Sequence, residues 1–255
     1  MPPARITSLA ALAALGLSCR SGPPPAIDPV LAARVPAGAT ILAGVNLDRV
    51  RASPLFGQFP PAVRAFLEAW NSAHSILAAS DGSRYLVLAR GDFSAAPAGS
   101  TPIAKGLAAS GSADWVDAAR HGSGRNALLP RAETVAASSD IWMVADGNAS
   151  LPVTGNAENL NRLLHMTEYA TLTVRLTDSA ALEVTGACSG AEQASHLEET
   201  VRAFAGIGAG AAARQPALAA ILRRVRITRD GRAVHVVLTV EAVELPELLK
   251  LLGVS

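Results

Sequence analysis

Few side chains of this sequence stand in an arrangement that does chemistry. Cys19 ends an apolar run with Ser18 and Gly16 close by, the setting of a thiolate nucleophile beside small residues that fit processing enzymes. Cys188 is the only other cysteine, and without a CxxC or a Cys/His cluster it reads as a small buried apolar residue. The five histidines, His74, His121, His165, His196 and His235, form neither an i, i+4 pair nor an HExxH, so no metal ligand set is predicted. Ser123 follows His121 in a Gly-Ser-Gly stretch, but no GxSxG elbow and no strand feed it, so the prediction is a surface loop. Gly206, Gly208 and Gly210 imitate a dinucleotide fingerprint. They follow a helical stretch instead of a strand, which predicts a helix terminator and a connection. Arg90-Gly91-Asp92 reads as a turn. Glu198, Glu199 and Arg202 read as the polar face of a helix, and Arg223, Arg224, Arg226 and Arg229 as a solvated helix end and strand. No cofactor is expected.

The segment that positions Cys19 explains it best. Arg5 is followed by an apolar run over 6–17. Twelve residues fall short of the roughly 20 that span a bilayer as a helix. A basic start, a short apolar core and small residues at its end make a secretory signal, predicted over 1–18. Leu15-Gly16-Leu17-Ser18-Cys19 resembles the lipobox of bacterial lipoproteins, with Gly16 and Leu17 out of the usual order. Cys19 is therefore the expected lipidation site and the membrane the expected partner. An ordinary signal cut nearby, leaving a soluble periplasmic or secreted protein, is the alternative. Residues 19–34 are read as a tether, because Pro23-Pro24-Pro25 favours extended polyproline II.

Composition narrows the function. Removing residues 1–18 removes Arg5 and takes the side-chain charge from +1 to about zero, so no basic surface points to nucleic acid. Half the residues are apolar but only 4% are aromatic, which supplies a core and few stacking platforms for sugars or bases.

The remaining chain, 35–255, reads as one α+β domain, possibly of two similar halves (35–130 and 131–255). A strand is expected at 40–46 and a helix at 60–74. Hairpins are expected at 76–90 around Asp81-Gly82, at 133–145 around Ser139-Asp140, at 170–188 around Asp178-Ser179, and at 225–241 around Asp230-Gly231. Helices are expected at 101–110, 156–166, 191–205, 216–224 and 245–252. Hairpins alternating with helices predict a largely antiparallel sheet covered by helices, with a pseudo-duplication. In the later strands apolar and polar residues alternate, predicting a sheet with one solvated face. Thr173, Arg175, Glu183, Thr185, His235, Thr239 and Glu241 would stand on that face, the candidate binding surface for an envelope partner.

The stretch from Val35-Pro-Ala-Gly-Ala-Thr to Ser53-Pro54 is similar to the start of uncharacterised exported bacterial proteins. Val225-Arg-Ile-Thr-Arg-Asp-Gly-Arg-Ala-Val-His-Val-Val-Leu238 looks like the closing hairpin of the same group. The resemblance implies export and an α+β fold and carries over no site. The expectation is an exported cell-envelope protein, a non-enzymatic binding or accessory module. A periplasmic hydrolase with a site assembled from scattered residues and a structural component of an envelope complex are the alternatives.

Overall fold

The computed structural model describes residues 26–251 except 95, 98, 123–124, 152–156 and 212–214. Cys19 and the signal segment therefore lie outside the described residues, as does Ser123. The strands are β1 (Ile41–Asn46), β2 (Ala73–Ser80), β3 (Tyr85–Gly91), β4 (Thr101–Ala104), β5 (Leu107–Gly111), β6 (Ile141–Asp146), β7 (Tyr169–Leu176), β8 (Ser179–Ala187), β9 (Arg226–Asp230) and β10 (Ala233–Glu241). The helices are α1 (Pro29–Ala32), α2 (Leu47–Ala52), α3 (Pro61–Ala69), α4 (Ala113–His121), α5 (Leu129–Ala136), α6 (Ala157–Leu164), α7 (Ala191–Ala211), α8 (Pro216–Leu222) and α9 (Leu245–Leu251). The fold is α+β, a ten-stranded antiparallel sheet with helices packed on it.

The strand order is β4-β5-β3-β2-β1-β6-β7-β8-β10-β9. Read outward from the central β1–β6 pair, one half runs β1-β2-β3-β5-β4 and the other β6-β7-β8-β10-β9. The two halves thus repeat one topology. They differ in what joins the strands: β3 passes to β4 without a helix, whereas α7 and α8 stand between β8 and β9.

Register assigns the two faces. Leu42, Leu77, Leu88, Ala109, Trp142 and Val144 share one face and pack under α1, α4 and α5, with Leu31, Val35, Trp115 and Ala132. Ile27 and Leu31, within the stretch read as tether, are buried in this core. Gly44 is required here, because a Cβ on it would overlap the Trp142 ring. The opposite face carries Val45, Ile76, Ile141, Val174, Leu182 and Leu238. It packs under α2 and the 3-10 turn at Pro54–Gln58, with Ile221 of α8 and Leu245 of α9 also in that core. Farther along the same face, Val234, Val236 and Ile227 meet Leu197 and Val201 of α7.

Three expectations are corrected. Residues 101–110 are the β4–β5 hairpin, turning at Lys105-Gly106 with Gly106 at φ +65°. Residues 133–138 belong to α5 and the turn after it: Pro130 in the first turn sets a helical φ, and β6 pairs with β1 and β7 instead of forming a hairpin at 139–140. Gly206, Gly208 and Gly210 lie inside α7, which runs on to Ala211. A Cβ would fit at all three, with open space at Gly206 and Gly210 and only an ordinary contact with Leu222 of α8 at Gly208.

Candidate functional site

The seven polar residues read as one surface do share one. Thr173 faces Glu183, Thr185 faces His235, and Arg175, Thr239 and Glu241 continue the same parity on β7, β8 and β10. By register this is the face that carries Trp142 and Val144 on β6, so the sheet side covered by α1, α4 and α5 in one half continues as a polar face in the other. His235 Nδ1 lies 3.0 Å from Thr185 Oγ1 and 3.3 Å from Glu183 Oε1. An acid–base relay needs hydroxyl and carboxylate at opposite ring nitrogens. Here both meet the same nitrogen, so the trio orients a surface imidazole.

The other candidates stay apart. His121 is exposed at the end of α4. His165 Nε2 meets the Ala149 carbonyl at 3.2 Å. His74 bridges two carboxylates, Asp48 at 3.1 Å and Asp92 at 3.2 Å, and both hold the imidazole above its ordinary pKa, the Asp92 hydrogen bond first. Among the described residues, no group of three His, Cys, Asp or Glu side chains could hold a metal ion. Cys188 is fully buried, and burial, with the Glu168 charge adding to it, pushes its thiol pKa up. That suits a packing residue, not a nucleophile. Glu198 bonds Arg202 one turn on and Arg229 of β9, and both guanidinium groups hold its carboxyl below the usual range. Arg224 is paired with Glu244. These charges pin α7 and α8 to neighbouring segments.

What the residues do build is an apolar cleft of about 350 Å³. Its floor is the helix-covered face of β6, β7, β8 and β10: Met143, Leu172, Val184 and Val236 stand side by side in register, and Ala145, Ala170, Gly186 and Val234 form the next row. Leu160, Leu163 and Leu164 of α6 make one wall and Leu197 and Val201 of α7 the other. The floor row is wide because Ala145, Ala170 and Gly186 carry little or no side chain. Polar groups are few. Thr167 is spoken for, its hydroxyl donating to the Leu164 carbonyl at 2.7 Å. Val184 of the floor is 42% and Leu160 of the wall 51% exposed, so the cleft opens to solvent.

The strand alternation that identified the polar face also identified Leu172, Val234 and Val236 as inward. It could not show that α6 and α7 leave a gap above them. Ala145, Ala170 and Gly186, the small residues of the floor, come together only through the pairing of β6, β7 and β8.

No family model matches this sequence, and no curated protein matches it. Solved structures do. Crystal forms I and III of TP0453 are similar in fold, with TM-scores of 0.50 and 0.51 and 13% and 11% identity. The match covers 90% and 88% of this chain and 99% and 98% of those chains. At that identity the likeness extends to the fold alone.

Proposed function

We propose that this chain is an exported, non-enzymatic binding module of the cell envelope, held at the membrane through lipidated Cys19, and that its ligand is a single acyl chain seated between α6 and α7. The apolar cleft is the observation that carries the ligand. A cavity of about 350 Å³ lies in the size range of small-molecule sites, but it lacks the convergent polar groups that fix an oriented polar ligand. Its chemistry selects by hydrophobic burial alone, at about 25 cal/mol per Å² of apolar surface removed from water. The 1–19 segment supports the location: a charged start, a short apolar run and a cysteine beside small residues.

Two measurements test this. Palmitate-analogue labelling of wild type against Cys19→Ala in envelope fractions tests the anchor, and equal labelling of both overturns it. Titration of the full chain with a fluorescent fatty acid tests the ligand. We expect saturable binding, displaced by unlabelled palmitate. Val184→Glu, with its folding checked by circular dichroism, should weaken it about tenfold or more. Absence of saturable binding, or unchanged affinity in Val184→Glu, overturns the ligand.

A further inference from the structure

A larger cavity, about 680 Å³, lies on the opposite face of the sheet. Leu77 of β2 and Trp142 of β6 line its floor. α1 and α5 flank it, and Arg49 of α2 stands at the end where β1 finishes. Its polar groups are of both signs and incompletely used. Glu133 of α5 spends Oε2 on the Ile27 N–H at 3.2 Å and keeps Oε1. Arg49 lies 3.9 Å from Asp140, the outer limit of an ion pair, and its side chain is 53% exposed. Asp140 is engaged elsewhere, accepting the Leu176 N–H at 2.7 Å. The other carboxylate of the lining, Asp28, has its own partners, with Arg90 at 3.5 Å and the Val30 N–H at 2.7 Å.

Among the described residues, a guanidinium and a carboxylate with bonding capacity left thus line one cavity. A guanidinium selects a carboxylate in a fork-like, charge-assisted pair, and a carboxylate selects an ammonium. We infer that this cavity binds a zwitterion, an amino acid or short peptide with free termini, its carboxylate at Arg49 and its ammonium at Glu133. The volume lies well within the range of small-molecule sites. The site is separate from the acyl cleft, and neither proposal depends on the other.

Calorimetry on the full chain with the dipeptide Leu-Leu tests it, beside the N-acetyl and the C-amide forms, each of which removes one charge. The free dipeptide should bind, and either cap should weaken it about tenfold, a loss near 1.4 kcal/mol. Arg49→Ala should bind the free and amidated forms equally. Glu133→Gln keeps an acceptor for the Ile27 N–H and should bind the free and acetylated forms equally. Folding of both variants is checked by circular dichroism. Absence of heat with Leu-Leu at millimolar concentration overturns the proposal, and so does binding that neither cap changes. Cap effects that persist unchanged in both variants also overturn it.

Discussion

At the scale of single residues Gly44 is a sharp constraint. It packs where β1 crosses under the Trp142 ring, so a methyl group there must displace an indole buried in the α1–α4–α5 core. Overpacking of this kind costs about 1–3 kcal/mol. Gly44→Ala should lower the unfolding free energy by that amount and so shift the urea midpoint down, and a midpoint equal to wild type would show that the ring has room to move. His74 gives a pH dependence with a definite sign. Asp92 and Asp48 raise its pKa in the folded state. The imidazolium is therefore favoured by folding, and the linked stability is complete below the unfolded value near 6.5. It is lost as pH rises through the higher folded value. The site is half exposed, so the effect is small. Thermal midpoints of wild type and His74→Asn should differ most near pH 6 and converge by about pH 8.5. A gap that widens toward high pH would contradict the bridge.

At the scale of elements, legibility followed periodicity. The β2–β3, β7–β8 and β9–β10 hairpins were readable because Asp-Gly or Asp-Ser turns separate runs of β-branched and apolar residues. The segments misread are alanine-rich. Thr101-Pro-Ile-Ala-Lys-Gly-Leu-Ala-Ala-Ser110 has neither a period of two nor one of 3.6, and only pairing with β3 and β4 makes β5 a strand. Glu133-Thr-Val-Ala-Ala-Ser138 is equally ambiguous until Ala132 and Ala136 are seen packed in the core. The polar strand face was legible residue by residue, since alternation alone fixes it. The acyl cleft and the zwitterion cavity were not, because each is a gap between elements distant in sequence. The clasp between α7 and β9 yields a prediction at this scale. Glu198 holds Arg202 and Arg229 together; the two guanidinium groups are well exposed and Glu198 less so, so solvent screens the pairs and Glu198→Gln should lower stability only slightly. Its effect on stability should fade as pH falls toward the carboxylate range, because the carboxyl pKa is lowered in the folded state and its contribution is lost on protonation. A cost that persists at pH 3 would mean the glutamate acts through packing.

At the scale of the whole molecule, the repeated strand order explains both sites and the polar face. Each half follows its fourth and fifth strands with a C-terminal helical segment. In the first half that segment, α4 and α5, packs over the face carrying Leu42 and Trp142. In the second half it is α9, which packs on the opposite face with Leu176 and Val240. Among the described residues, only α5 reaches the first face of the second half, where Arg131 lies over the Tyr169 ring, and the chain places threonine and charge on the rest. Meanwhile α7, which has no counterpart among the described residues between β3 and β4, supplies one wall of the apolar cleft. The halves are nevertheless one unit. α5, at the boundary, packs in the core that holds Leu42 of β1 together with Trp142 and Val144 of β6, and β1 and β6 form the central ladder. A cut at 130/131 passes through α5 and strips both sides of that core. Urea unfolding of the full chain should accordingly be a single transition, with the far-ultraviolet circular dichroism and tryptophan fluorescence curves coinciding. Fragments 26–130 and 131–251 expressed apart should show no cooperative transition. Two resolved transitions, or a fragment that unfolds cooperatively alone, would show that the repeated halves are independent domains joined only at a strand edge.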